Sequence, residues 1–158
     1  MRAEYINPFI ASLSKAFRTM LDCEVHRGPL ALTVEKTQRH GVSGIIGLSG
    51  NAVGMVVLSL SAEVAKKAAS AMLLCETDEI DADVIDAVGE LTNMVAGAAK
   101  AELVGLNLMV GLPSVVTGAN HVVRFPSNVT PICVPFTTEW GDLALEVGLA
   151  PTPAAATI

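Results

Sequence analysis

The chain has 158 residues, 51% of them apolar and 16% charged, with a net charge of −6. That composition supplies a sizeable core, which argues for one folded domain and against disorder. The acidic balance excludes a typical nucleic-acid binder, which needs a basic face.

The first helix is expected over residues 7–21. Asn7-Pro8 forms a cap followed by proline at the first helical position, and Phe9, Ile10, Leu13, Phe17, Met20 and Leu21 follow at helical spacing. Residues 24–27 and 30–37 look extended. The stretch GVSGIIGLSGNAVGMVVLSLS then predicts two strands, about 41–48 and 53–60, turning at Ser49-Gly50-Asn51. Ser61 is placed to cap a second helix running to about Leu74, with Glu63 in its first turn. After the acidic break CETDEID, Asp81 is placed to cap a third, with Ile80 and Ile85 as a hydrophobic staple. Strands are expected at 107–118, interrupted by Pro113 as a bend in an edge strand, at 129–138 and at 141–148. The order predicts an α+β fold, with helices packed on a largely antiparallel β-sheet. Residues 1–150 form the expected domain, and 151–158 a disordered tail.

Chemistry-bearing residues are sparse. Cys23, Cys75 and Cys133 are far apart and form no CxxC, so they are expected to be reduced, apolar core residues. His26, His40 and His121 are scattered, which argues against a metal site. The acidic run Asp78, Glu79, Asp81 and Asp83 lacks the spacing and central glycine of a calcium loop, and reads as compensation of a helix dipole. Met72, Met94 and Met109 read as core filler. No P-loop and no GxSxG is present. With neither a basic leader running into an apolar stretch nor an apolar run near membrane length, a cytoplasmic location and no membrane partner are expected.

One stretch stands apart, DVIDAVGELTNMVAGAAKAEL at residues 83–103. At 100° per residue, Glu90, Asn93 and Gly97 fall at about 40°, −20° and 20° from Asp86. Val84, Val88, Leu91 and Val95 gather on the opposite side. Most polar helix stripes are simply solvated. This one lacks the Lys–Glu pairing of such a face and carries a glycine that costs about 1 kcal/mol in a helix interior. That glycine serves either to pack against a neighbouring helix or to admit a partner.

The motif GELTNMVAG, with Asp86 four residues before Glu90, resembles the signature helix of the CheC/CheX/FliY family. INPFI, GLSGNAVGMVVLSLS, LPSVVTG and PFTTEWGDLALEVGL extend the resemblance over most of the chain. Residues 7–21 carry no second Glu-x-x-Asn, so the single-motif, CheX-like members match best. The resemblance implies a phosphatase acting on the aspartyl phosphate of a phosphorylated CheY-like response regulator, in chemotaxis or another two-component system. It implies that Glu90 anchors a regulator lysine and that Asn93 orients the attacking water, with Asp86 and Gly97 at the partner-binding surface. It further implies a homodimer. No cofactor is expected on this chain, because Mg2+ belongs to the regulator. Ala98 departs from the family, whose members often place asparagine there, and Pro113 corresponds to the family's later proline. The competing expectation is a non-catalytic module that binds a response regulator or a flagellar-switch partner through the same helix.

Overall fold

The computed structural model describes residues 2–32 and 40–153. Helix α1 (Ala3–Leu21) begins four residues before the expected Asn7 cap, with Arg2 at the cap position. Pro8 therefore lies inside the helix. It withdraws one N–H from the ladder, a loss tolerated because Ile6 and Phe9 on either side are fully buried and hold the first turns against the core. The extended stretches that follow shrink to β1 (His26–Arg27) and β2 (Ala31–Leu32). The rest of the 30–37 expectation lies outside the described residues.

Strands β3 (Val42–Ser49) and β4 (Ala52–Leu60) form the predicted hairpin, with Gly50 at φ +138° where a side chain would be strained. Helix α2 (Ala62–Leu73) starts at Ser61, whose hydroxyl accepts from Val64 N at 3.2 Å. Helix α3 (Ala82–Glu102) starts at Asp81, whose carboxylate accepts from Val84 N at 3.0 Å. Strands β5 (Met109–Val110), β6 (Ser114–Thr117), β7 (Ile132–Thr138) and β8 (Gly141–Pro151) complete the chain. β8 passes the expected boundary at 150, since Pro151 pairs with Ala52 and Thr152 N donates to Asn51 O. Residues 154–158 of the expected tail lie outside the described residues.

All pairings are antiparallel, in the order β1-β7-β8-β4-β3-β5, with β2 also on β7 and β6 also on β3. The three helices pack on one face of this sheet. Alternation along the strands sends Val42, Ile46, Val56, Leu58, Leu143, Leu145 and Val147 into one core with Phe9, Leu13 and Phe17 of α1 and Val88, Leu91 and Val95 of α3. The opposite sheet face is crossed by the segment after β6. Phe125 and Val129 lie so close over Gly148 that a side chain there would collide with them.

Two sequence expectations fail at the surface. Cys23 and Cys133 are buried, but Cys75 is exposed because it follows the left-handed end of α2 at Leu74. Met109 is not core filler, since it is 63% exposed on the short edge strand β5. Among the described residues no helix is long and apolar enough to cross a membrane.

Candidate functional site

The placement of α3 follows from three small contacts. Thr92 is fully buried, and its hydroxyl donates to Val88 O at 2.7 Å, so its polar atom is satisfied within the helix. It rests directly over Gly44 of β3, where an added Cβ would overlap the threonine hydroxyl. The missing side chain thus lets helix and sheet approach closely. One turn earlier, Gly89 packs under the edge strand, with its Cβ position 3.7 Å from Pro113 Cγ and 3.6 Å from Val115 Cγ2.

These contacts fix which way the helix faces. Val84, Val88, Leu91 and Val95 are all buried, as the spacing predicts. Asp86, Glu90, Asn93 and Gly97 are all exposed along the opposite side. The Cβ atoms of Asp86, Glu90 and Asn93, at i,i+3 and i,i+4 separations, lie about 5–6 Å apart, so the Glu90 carboxylate and the Asn93 amide point outward side by side. Among the described residues neither side chain has a hydrogen-bond or ion-pair partner. Among the described residues nothing lies within 4 Å of a Cβ built on Gly97, so its missing side chain serves no packing against them. Of the two uses expected for this glycine, packing against a neighbouring helix is not seen among the described residues.

The stripe lies on the exposed outer side of α3. Two surface clefts, about 430 and 350 Å3, are lined by residues such as Gly41, Ala62 and Asn120 in one case and Lys100, Val104 and Asn107 in the other, away from Glu90 and Asn93. Among the described residues no group of His, Cys, Asp and Glu could hold a metal ion. In the acidic run, Asp81 caps α3 and Asp83 lies in its first turn. An exposed helix face with a bare carboxylate and amide suits contact with another macromolecule, where the approach removes water from both groups.

Two polar features lay beyond the reach of the sequence. Ser43 and Ser59, fully buried on neighbouring strands, share a 2.8 Å hydrogen bond, and Ser43 Oγ lies 2.6 Å from His121 Nε2. His121 Nδ1 is 2.7 Å from Gly118 O. A carbonyl only accepts, so Nδ1 carries a proton, and Nε2 and the Ser43 hydroxyl share the second hydrogen bond. The pair resembles a nucleophile and its base, but Ser43 is inaccessible, and the network pins the crossing segment to the sheet. Elsewhere, burial pushes the His40 pKa down, opposed by the negative charge of Asp142, and burial pushes the Cys23 thiol up.

Comparison with known proteins agrees with this architecture. The family model described as chemotaxis phosphatase CheX matches residues 42–137, a span that includes α3 and its stripe. The CheY-P phosphatase CheX of Thermotoga maritima is 32% identical over 152 residues, covering 93% of this chain and 97% of that protein. The crystal structure of chemotaxis protein CheX from Vibrio vulnificus superposes with a TM-score of 0.88 at 32% identity, covering 94% of this chain and 100% of that one. A CheX–CheY–BeF3–Mg2+ complex from Borrelia burgdorferi gives a TM-score of 0.79 at 25% identity, covering 94% and 99%. With helices and sheet in the same arrangement and the Glu-x-x-Asn helix inside the matched span, the chain belongs to the CheX family of chemotaxis phosphatases.

Proposed function

We propose that the protein terminates a two-component signal by hydrolysing the aspartyl phosphate of a CheY-type response regulator, and that Glu90 and Asn93 carry the reaction. The observation that supports this reading is the pair itself. Both side chains are exposed on the outward side of a rigidly seated helix and lack partners within the described residues. The named relatives act on or bind CheY, one as a CheY-P phosphatase and one in complex with CheY.

An aspartyl phosphate is a mixed anhydride. Water attacks phosphorus in line, the bond from phosphorus to the carboxylate oxygen breaks, and the aspartate leaves as an anion. The water oxygen becomes part of inorganic phosphate, which also takes up its proton. The regulator supplies the phosphoaspartate, its Mg2+ and a lysine, so this chain needs no nucleophile or cofactor. It contributes orientation. The Asn93 amide both donates and accepts hydrogen bonds, so it can hold one water in line. A glutamine orients water in the same way in GTPases. Glu90 forms a charge-assisted bond to the regulator lysine and fixes the register of the two proteins. Asp86 borders the contact, and Gly97 leaves room for the regulator to approach. The protein works in the cytoplasm as a homodimer, with one such face per protomer.

The test is the lifetime of a phosphorylated CheY-type regulator with and without the protein. The reading predicts decay accelerated in proportion to protein concentration. Binding without acceleration would instead identify a non-catalytic adaptor.

A further inference from the structure

The edge strand beside α3 contains a register break. Val110 of β5 pairs with Leu48, while Ser114 of β6 pairs with Ile45. Residues 111–113 therefore face only residues 46 and 47 of β3, and Gly111 N still donates to Gly47 O at 2.9 Å. Leu112 and Pro113 together oppose Ile46, which is a β-bulge. Proline suits such a place because no ladder bond is asked of its nitrogen. Pro113 takes the helix-facing position and lies against Gly89, the residue before Glu90. The extra residue, Leu112, is 92% exposed.

We infer that the bulge serves to present Leu112 as an apolar docking contact for the response regulator, beside the Glu90/Asn93 face. The inference rests on the phosphatase reading above and names a specificity contact that reading lacks. The stripe of Asp86, Glu90, Asn93 and Gly97 offers charge, an amide and bare backbone but no apolar anchor, whereas protein interfaces draw most of their affinity from a few desolvated apolar groups. Leu112, 92% exposed, is an apolar side chain tied to that stripe through the contact of its neighbour Pro113 with Gly89. Met109 pairs with Ser49 on the sheet face turned away from α3, and Val104 lies beyond the C-terminal end of the helix. The occupant is an apolar patch on the regulator next to its phosphorylated aspartate, reached at the same moment as Glu90 and Asn93. A continuous β-strand would have carried this position's side chain toward the core. The bulge turns it outward and holds it by the Gly111 hydrogen bond and the Pro113 contact.

The test measures steady-state dephosphorylation and, separately, binding of the same regulator loaded with beryllofluoride and Mg2+. Leu112→Ala should raise KM and Kd about tenfold, the scale of losing a buried leucine side chain. Its kcat should stay within twofold and its melting temperature unchanged, because the residue is 92% exposed, and Leu112→Met should restore most of the affinity. Unchanged KM and Kd in Leu112→Ala overturn the inference, even where Asn93→Ala has lost turnover and the phosphatase reading stands. Loss of a homodimer with unchanged Kd also overturns it, assigning Leu112 to a second copy of the chain. If Asn93→Ala keeps full turnover, the water-orienting role fails, and the Kd of Leu112→Ala still decides the docking contact by itself.

Discussion

The two sides of α3 obey opposite rules. On the sheet side, Val88, Leu91, Thr92 and Val95 are fully or nearly fully buried, the Thr92 hydroxyl is satisfied by Val88 O, and Gly44 opposite is required by contact. On the outer side, Glu90 and Asn93 are exposed, and Gly97 has open space around it. A glycine on one side is explained by a neighbour inside the molecule. A glycine on the other has no such neighbour among the described residues, which is why we propose that it makes room for a partner. Packing fixes the direction of the helix, and the outer side is left free to be chosen for chemistry.

Several substitutions sharpen or break this contrast. The largest effect is expected from Asn93→Ala, with kcat lowered about 100-fold, the scale of losing orientation at a reacting centre. Its melting temperature should not move, which calorimetry checks. Glu90→Ala should weaken binding to the beryllofluoride-loaded regulator about tenfold, the scale of one charge-assisted hydrogen bond. Unchanged affinity in a titration would remove its anchoring role. The two glycines make the sharpest internal pair. Gly44→Ala forces a Cβ into Thr92 and should destabilise the fold by about 1–3 kcal/mol. Gly97→Ala meets nothing inside the protein and should stabilise the isolated chain by up to about 1 kcal/mol, while weakening regulator binding. A destabilised Gly97→Ala protein with normal binding would reverse the assignment of the two sides.

The smallest effect concerns pH. Burial holds the His40 pKa below its ordinary value. As pH falls below about 6.5, the unfolded chain takes up this proton before the folded one does, so stability declines until the folded pKa is passed. His40→Asn should flatten that part of a denaturation profile between pH 7 and 5. An unchanged slope would mean that His40 is not the group responsible.

Much of this contrast was legible in the sequence because it is local. The apolar period of α3, its Asp81 cap and the outward Glu90/Asn93 pair all follow from spacing within one helix. The features that escaped depend on residues distant in the chain. The start of α1 was misplaced because burial of Ile6 and Phe9 outweighs the loss at Pro8. The role of Gly44 is set by Thr92, and the bond between Ser43 and His121 by the path of the segment after β6. The outward turn of Leu112 depends on the register of β3 against β5 and β6, which a strand-like run containing proline does not reveal. Met109 and Cys75 looked apolar enough for the core, but an edge strand and a helix end placed them outside.

The central claim is that catalysis resides in the amide of Asn93 and binding in its neighbours. The most direct measurement follows the decay of a phosphorylated regulator at saturating wild-type or Asn93→Ala protein, with affinity for the beryllofluoride-loaded regulator determined in parallel. The account predicts that Asn93→Ala binds within about threefold of wild type, a difference under 1 kcal/mol, while decay returns close to the regulator's own rate. Full acceleration by Asn93→Ala at normal affinity would contradict it.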